Sequence, residues 1–224
     1  MSEDFPQPIK ANRKKLYPLF MAAKRCEEFS QVSLKLDVLF INGTRYTVDN
    51  LQDLPESLKL NTKATITTND VTVFASKDSI LSNLHEMDVM IDGRIYNTNE
   101  QFIQFSKANL FKDPVTAQKI LDEPDPYKQM SLGKEVKGYT KTIWEANVPR
   151  ILNRVNREKY AQNAEAREFL IATGTRTLGE ATKHPLFGIG KNRNDPDVTV
   201  SNNWQGQNLM GHTLQEIRNH LKPS

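Results

Sequence analysis

One segment, which follows Thr98, constrains the fold of this chain more than any other. Its apolar residues are spread around most of the circumference of a helix: Phe102, Ile103, Phe105, Ala108 and Leu110. A helix with this pattern is stable only when other elements cover nearly all of its sides. Thr98 is predicted to cap it, because Gln101 follows three positions later in the capping-box spacing. We therefore expect a buried helix that runs to about Phe111.

A polar stripe interrupts this apolar helix. At about 100° per residue, Glu100, Gln104 and Lys107 fall within about 60° of one another. In the simpler interpretation, Glu100 favours the positive N-terminus of the helix and Lys107 is solvated. If it lines a pocket, Glu100 can stabilise the positive charge that a ribose carbon acquires as a base departs. Lys107, if desolvation lowers its pKa, can instead attack the anomeric carbon and hold the opened sugar as a Schiff base.

The first part of the chain is predicted to form a small unit of its own. Residues from Ala11 to Glu28 mix basic and apolar side chains as a short amphipathic helix does. This helix either contacts phosphates or is simply solvated. Val32 to Val48 alternates as strands do and turns at Asn42-Gly43, which predicts a β-hairpin.

A polar segment from Asp49 to Lys63 is the predicted linker, with the domain boundary near Asn61. The predicted domains are residues 1–61 and residues 62–224. The second begins with two strand segments, VTVFAS and VMIDGRIYN, of which the latter turns at Asp92-Gly93. Helices are predicted from Asp113-Pro114 to Pro124, from Lys141 to Gln162 with a bend at Pro149, from Ala164 to Thr173 and from about Leu209 to Leu221. The predicted class is α+β, a mainly helical domain around a small sheet, preceded by a helix and a β-hairpin.

Composition excludes several classes of site. Cys26 is the only cysteine among 224 residues, so no disulfide or cysteine-based zinc site can form within the chain. The four histidines are scattered, and we expect no metal and no cofactor. No apolar run approaches the roughly 18 residues of a membrane helix and no signal peptide is evident, so we expect an intracellular protein, cytoplasmic or nuclear. A net charge of +3 is too mild to require a nucleic-acid partner.

Short motifs occur in a fixed order from about Phe74 to Leu221. They are Ser82-Asn83, Tyr96-x-x-x-Glu100-x-x-x-Gln104-x-x-Lys107, Leu132-Gly133-Lys134, Trp144, Lys159-Tyr160-x-Gln162-Asn163, Thr173-Gly174, Leu178-x-Glu180-Ala181, Gly188-Ile189-Gly190 and Asn203-Trp204-x-Gly206-x-Asn208-x-x-Gly211. In this order and spacing they resemble the NADAR (YbiA-like) family of N-glycosidases. The segment before Phe74 lies outside the resemblance.

The resemblance implies a fold in which helices surround a small sheet and a phosphoribosyl group binds in a central cleft. It also implies one of two substrates: ADP-ribose attached to a nucleic-acid base, or a phosphoribosyl intermediate of the riboflavin pathway. Glu100 and Lys107 match the presumed catalytic positions of the family. The positions that match its pocket are Ser82, Asn83, Trp144, Gly188, Gly190 and Asn208.

The chain departs from the family pattern at two positions. His184 stands where an acidic residue is common, and Phe187 replaces a tryptophan three positions later. His184 can act as an acid, a base or a phosphate ligand, but it cannot supply a permanent negative charge. A non-catalytic ADP-ribose-binding module therefore remains an alternative. The backbone N–H groups of Gly188 and Gly190 either bind a phosphate or form a plain turn.

Two tryptophans and the middle residue of the polar stripe complete the predicted substrate-binding set. Trp144 lies on the apolar stripe of a long helix, where it either packs in the core or stacks on a base. Trp204 lies in a polar loop and is predicted to stack on a base or cover the cleft. Gln104 shares the face of Glu100 and Lys107.

The predicted reaction is hydrolysis of the bond between a ribose and a base nitrogen. Removal of ADP-ribose from ADP-ribosylated guanine in DNA is favoured, because the basic N-terminal helix suits a polymeric partner. The alternatives are hydrolysis of a riboflavin-pathway compound and binding of an ADP-ribose-like nucleotide without turnover.

Overall fold

The N-terminal unit is a helix packed on a small sheet. The computed structural model describes residues 6–24, 29–55, 58 and 64–221. Helix α1 (Gln7–Ala23) contacts the first two strands of the antiparallel sheet β1 (Val32–Lys35), β2 (Val38–Ile41) and β3 (Thr44–Tyr46). Apolar side chains from these elements and from the segment after them form a core of their own: Leu16, Ala22, Ala23, Leu39, Ile41, Tyr46, Leu54 and Leu58.

The predicted hairpin turn is confirmed, but the sheet has one strand more than predicted. Asn42 and Gly43 both have positive φ, 48° and 85°, as a two-residue hairpin turn requires. The segment before this turn is two strands rather than one, because Leu36 also adopts a positive φ of 51° and reverses the chain.

The ends of the predicted N-terminal elements differ in part from the structure. Helix α1 begins before Ala11, since Pro8 is accommodated in the first helical turn, where its missing N–H needs no partner. Its predicted end at Glu28 and the predicted boundary near Asn61 lie outside the described residues, as does Cys26. The division into residues 1–61 and 62–224 therefore stays a prediction.

Two small sheets are present in residues 64–221, the described portion of the second part of the chain. Strands β4 (Thr65–Thr67), β5 (Val71–Phe74) and β8 (Thr177–Glu180) form one sheet, in which β8 runs parallel to β5 and Phe74 pairs with Glu180. Strands β6 (Glu86–Ile91) and β7 (Arg94–Thr98) form an antiparallel pair that turns at Asp92-Gly93, as predicted. Strands β4 and β8 were not predicted; they are short and gain their pairing from β5.

Within the described residues, six helices surround these sheets. They are α2 (Asn99–Leu110), α3 (Pro114–Asp122), α4 (Pro126–Leu132), α5 (Lys141–Gln162), α6 (Ala164–Ala172) and α7 (Leu209–Leu221). The predicted bounds of α5 and α7 are confirmed, and α5 continues through Pro149. Helix α4 was not predicted, although Asp125 caps it by accepting hydrogen bonds from the N–H groups of Tyr127 and Lys128. The predicted mainly helical α+β class is confirmed.

Helix α2 is buried as its sequence requires. It contacts β7, α3, α4 and α5, and its apolar residues Phe102 and Ile103 belong to the main hydrophobic core. Thr98 Oγ1 accepts a 3.0 Å hydrogen bond from the N–H of Gln101, which confirms the predicted cap. The Gln101 side chain reaches back to the N–H of Asn97 rather than to that of Thr98. No helix within the described ranges is long and apolar enough to cross a membrane.

Candidate active site

A cavity of about 740 Å³ opens beside helix α2 and β8. Side chains from both elements, from the loop before β6, from α4, from the start of α5 and from the loop after β8 line it. Eight predicted site residues are among them: Ser82, Asn83, Glu100, Gln104, Lys107, Trp144, His184 and Phe187. The structure therefore brings together residues that are separated by more than 100 positions in the sequence.

Glu100 lies in the first turn of α2 and is 8% exposed. Its Oε1 accepts a 2.7 Å hydrogen bond from Nε2 of Gln104, one helical turn later. Burial raises the pKa of Glu100, while the hydrogen bond from Gln104 and the positive charge of Lys107 lower it. The carboxyl group is thus desolvated but has one donor and one nearby cation that favour its ionised form.

Lys107 lies one turn further along the same face. Its Nζ donates a 2.7 Å hydrogen bond to the carbonyl of Gly133 and lies 4.4 Å from the ring centre of Tyr139 and 5.5 Å from that of Trp144. Burial lowers the pKa of Lys107, and the negative charge of Glu100 opposes that change. Nucleophilic attack by lysine requires a neutral amine, and partial desolvation of this kind favours the neutral form.

Gly133 is the residue that lets Gln104 approach Glu100. A Cβ atom at position 133 would stand 1.8 Å from Gln104 Oε1, so a larger residue would displace the amide. Among the described residues, this buried Oε1 atom has no hydrogen-bond partner. The space that the missing Cβ of Gly133 leaves is therefore filled by the Gln104 amide.

Buried polar groups hold the Ser82-Asn83 segment in place through hydrogen bonds. Asn83 Oδ1 lies 3.3 Å from the side-chain nitrogens of Asn99 and Asn156, and its carbonyl accepts the N–H of Glu100. Lys159, which is fully buried, donates from Nζ to the carbonyls of Ile80 and Ser82 at 2.6 and 3.0 Å. Burial lowers the pKa of Lys159 to about 7. This network fixes the cavity wall beside Glu100.

His184 and Phe187 also line the cavity, with ring centres 4.9 Å apart. Nδ1 of His184 accepts the N–H groups of Leu186 and Phe187, both at 3.2 Å, so Nε2 carries the proton in the neutral ring. Burial lowers the pKa of His184, and the charge of Lys107 lowers it further. Its Nε2–H is therefore suited to donate a hydrogen bond to a ligand.

Four predicted site residues are not among those that line the cavity: Gly188, Gly190, Trp204 and Asn208. The N–H of Gly188 donates to the carbonyl of His184, and the N–H of Gly190 donates to the carbonyl of Thr182, both at 3.0 Å. Because these hydrogen bonds close the loop on itself, the two N–H groups are occupied by the protein rather than directed at a phosphate.

Trp204 and Asn208 support the wall behind the cavity. The indole Nε1 of Trp204 donates to the carbonyl of Val198 at 2.9 Å, and its ring packs over Gly179 with the sheet residues around it. The Asn208 side chain accepts the N–H of Glu180 and donates to the carbonyl of Leu178. Both residues hold β8 in place and neither lines the cavity, so their roles in ligand binding stay predictions.

Several other groups that line the cavity were not predicted as site residues. They are Tyr127, Lys134, Tyr139, Lys141, Glu145, Glu180 and Thr182. Glu180 is the most perturbed of them, because burial and the negative charge of Glu100 raise its pKa to about 7. It appeared in the sequence only as part of a short motif, and no local pattern connected it with Glu100. Within the described residues, no cluster of three or more potential ligands could hold a metal ion.

Comparison with known proteins identifies relatives of the second part of the chain. The family model of the NADAR domain matches residues 68–222 of this chain. N-glycosidase R617 of Acanthamoeba polyphaga mimivirus is 33% identical over 124 residues, which are 55% of this chain and 73% of that protein. N-glycosidase YbiA of Escherichia coli (strain K12) is 26% identical over 144 residues, 62% of this chain and 79% of YbiA.

A solved structure and a more distant relative complete the comparison. The NMR structure of E. coli YbiA superposes with a TM-score of 0.56 at 23% identity and covers 75% of this chain and 93% of that chain, which shows the fold. A riboflavin biosynthesis protein of Vibrio vulnificus (strain YJ016) is 24% identical over 143 residues, 63% of this chain but 35% of that protein. The names of R617 and YbiA bear out the predicted reaction class, that of an N-glycosidase.

Proposed function

Because this chain belongs to the NADAR domain family, we propose that it hydrolyses the bond between a ribose and a base nitrogen, with ADP-ribosylated guanine in DNA as its substrate. The observation that carries the proposal is the pairing of Glu100 and Lys107 on one face of a buried helix, inside a cavity of about 740 Å³. This volume lies within the range of ligand pockets, roughly 300–1,000 Å³.

Glu100 supplies the electrostatic part of the reaction. When the glycosidic bond breaks, positive charge develops on the ribose C1′ atom, and a fixed carboxylate in a desolvated site stabilises that charge strongly. Burial raises the pKa of Glu100, and the hydrogen bond from Gln104 and the nearby Lys107 oppose that rise and so favour the ionised carboxylate. In the alternative route, the Lys107 amine attacks C1′ itself and forms a Schiff base with the opened sugar.

The remaining lining suits a nucleotide that carries more than one ring and more than one phosphate. Lys134 and Lys141 are exposed at the cavity rim, where they can meet a diphosphate. Tyr127 and Tyr139 are 41% and 45% exposed and offer stacking surfaces. A compound with a single phosphoribosyl group would leave part of this lining unused, which favours ADP-ribose.

A DNA substrate is favoured by helix α1. This helix contains Lys10, Arg13, Lys14 and Lys15 and no acidic residue. Such a helix can contact the phosphates of a DNA backbone independently of the base sequence, and a free metabolite offers no such row of phosphates. Action on DNA also implies an intracellular location, in the cytoplasm or the nucleus.

Two other functions have specific support. A riboflavin-pathway phosphoribosyl compound is favoured by the similarity to the riboflavin biosynthesis protein of Vibrio vulnificus. Binding of ADP-ribose without turnover is favoured by His184 and Phe187, which replace an acidic residue and a tryptophan of the family pattern.

A product analysis with three substrates separates these functions. The protein is incubated with an oligonucleotide that carries ADP-ribosyl-guanine, with free ADP-ribose and with a riboflavin-pathway phosphoribosyl compound, and the products are followed by mass spectrometry. We expect release of ADP-ribose and restoration of unmodified guanine. Cleavage of the riboflavin-pathway compound alone would support the first alternative. Binding of ADP-ribose with no cleavage of any substrate would support the second.

The role of α1 is tested separately. We expect the double variant Lys14→Glu/Lys15→Glu to weaken binding of the modified oligonucleotide and to flatten its dependence on salt, while the affinity for free ADP-ribose stays the same. The matched control is Lys112→Glu/Lys119→Glu, which changes the net charge equally at exposed positions outside α1. Equal weakening by both double variants would exclude α1 as a DNA-binding helix.

A further inference from the structure

Glu180 stands at the end of β8 on a backbone that is fixed on both sides. Its N–H donates to Oδ1 of Asn208 at 3.2 Å, and its carbonyl accepts the N–H groups of Thr182 and Ile189 at 2.8 and 2.9 Å. In addition, Glu180 is paired with Phe74 of β5 in the parallel part of the sheet. The backbone that carries the Glu180 side chain into the cavity is therefore fixed by the strand pairing and by these hydrogen bonds.

The carboxyl group of Glu180 has no bonding partner of its own in the part of the chain that the structure describes. It lines the same cavity as Glu100 and is only partly exposed, yet no described side chain or N–H donates a hydrogen bond to it and no cation pairs with it. Desolvated carboxyl groups in proteins are nearly always hydrogen-bonded or ion-paired. An unpaired one that faces a cavity indicates a group whose partner is the substrate.

The two carboxyl groups of the cavity have different surroundings. Glu100 has a hydrogen bond from Gln104 and a nearby Lys107 amine, which favour its ionised form. Burial raises the pKa of both groups, but Glu180 has neither of these partners, and burial together with the charge of Glu100 raises its pKa to about 7. When one carboxyl of a pair is kept ionised and the other is kept protonated, the pair can divide electrostatic and acid roles between them.

We propose that Glu180 is the general acid of the reaction, which protonates the nitrogen of the departing base. This inference rests on the proposed N-glycosidase function. The bond between C1′ and the base nitrogen breaks, its electron pair goes to the nitrogen, and the Glu180 proton neutralises that nitrogen. The Glu100 carboxylate faces the positive charge left on C1′. Water then adds to C1′ and transfers its proton to the Glu180 carboxylate, so that Glu180 ends the cycle protonated as it began.

The expected pH dependence follows from this role. Because Glu180 must be protonated, kcat falls as the pH rises through the pKa of Glu180. Other titratable groups face the same cavity: Glu100 and Lys107 from α2, Tyr127 from α4, Lys141 and Glu145 from α5, and Lys134, Tyr139 and His184 from the loops. Replacing Glu180 alone shows whether the alkaline fall in kcat belongs to Glu180 or to one of these other groups.

The test compares wild type, Glu180→Gln and Glu180→Asp on the ADP-ribosyl-guanine oligonucleotide between pH 5 and pH 9. We expect Glu180→Gln to lower kcat by about 100-fold or more, the usual contribution of general acid catalysis, and to lose the alkaline fall. Its KM and its affinity for ADP-ribose should change little. Glu180→Asp should recover part of kcat and keep the alkaline fall, because an acid remains at a shorter reach. Glu168→Gln, at an exposed position on α6, is the matched control.

The outcomes distinguish this inference from the function on which it rests. If wild type is active and Glu180→Gln keeps its kcat within about threefold with the same alkaline fall, Glu180 is not the acid and the N-glycosidase function stands. If wild type itself cleaves none of the offered N-glycosides, both ideas fail together. If Glu180→Gln is inactive only because it has lost ADP-ribose binding or its folded structure, while Glu180→Asp shows no alkaline fall, the residue is structural and the inference is overturned.

Discussion

The buried Lys159 makes a quantitative prediction about stability that does not depend on any substrate. Its Nζ donates to two carbonyl groups, those of Ile80 and Ser82, and no carboxylate is among its hydrogen-bond partners in the described structure. Burial lowers its pKa from an ordinary value of 10.5 to about 7. At about 1.4 kcal/mol for each tenfold change in proton affinity, this amounts to about 5 kcal/mol of preference for the neutral amine in the folded state.

The sign of the effect follows from proton binding. Between pH 7 and pH 10.5 the unfolded chain holds a proton on Lys159 that the folded protein has released, so the free energy of unfolding rises with pH. The slope that this residue contributes is at most about 1.4 kcal/mol per pH unit, so it adds about 2–3 kcal/mol from pH 7 to pH 9. Below pH 7 the folded protein carries the full penalty of charging a buried amine.

Urea unfolding of wild type and Lys159→Met between pH 6.5 and pH 9 measures this contribution. We expect the wild-type free energy of unfolding to rise more steeply with pH than that of Lys159→Met, by about 1 kcal/mol per pH unit over most of the range. Lys119→Met, a substitution at an exposed position of α3, should keep the wild-type slope. Equal slopes for wild type and Lys159→Met would refute the assignment of a neutral Lys159 beneath the cavity wall.

Three further predictions concern the cavity and its support. Gly133→Ala should displace the Gln104 amide and remove its hydrogen bond to Glu100. We expect enzyme kinetics to show a lower kcat and thermal unfolding to show little change in melting temperature. An unchanged kcat would mean that the amide is dispensable. Trp204→Ala should destabilise the protein by about 3 kcal/mol in urea unfolding, because a packed and hydrogen-bonded indole is lost. The ADP-ribose affinity of the folded protein should stay unaltered. A large loss of affinity would show that Trp204 contributes to ligand binding. If Lys107 is the nucleophile, borohydride present during turnover should trap a sugar adduct that mass spectrometry locates on Lys107, whereas repeated absence of the adduct would leave the amine an electrostatic role.

Local patterns in the sequence predicted the features that depend on a few neighbouring residues. The cap of α2 required only Thr98 and Gln101, and the common face of Glu100, Gln104 and Lys107 followed from helical geometry. The bounds of α5 were likewise predictable, because apolar residues recur along its length with helical spacing.

Features that depend on distant pairing were not predictable in this way. Strand β8 is four residues long and is ordered by β5, which lies about one hundred positions earlier in the chain. Glu180 reaches the cavity only because of this pairing, so no local pattern could associate it with Glu100. Helix α4 was missed although Asp125-Pro126 has the same capping arrangement as Asp113-Pro114, since Pro124 just before it indicated the end of helical structure.

The loop after β8 shows a third limit of sequence reasoning. Its glycines and its tryptophan suggested exposed backbone N–H groups and an exposed ring. In the structure, the N–H groups of Gly188 and Gly190 and the indole of Trp204 all donate to carbonyl groups of the same loop region. The sequence indicates that such donors exist, but the folded path of the loop determines which of them are already occupied.

The most direct test of the central claim is a single-turnover comparison of wild type and Glu100→Gln on an oligonucleotide that carries ADP-ribosyl-guanine. The glutamine can still accept the hydrogen bond from Gln104, so the circular dichroism spectrum and the ADP-ribose affinity should be retained. We predict that wild type releases ADP-ribose and restores unmodified guanine in the oligonucleotide, and that Glu100→Gln does neither at a measurable rate. Equal release by the two proteins would contradict the assignment of this cavity as the site of N-glycosidic cleavage.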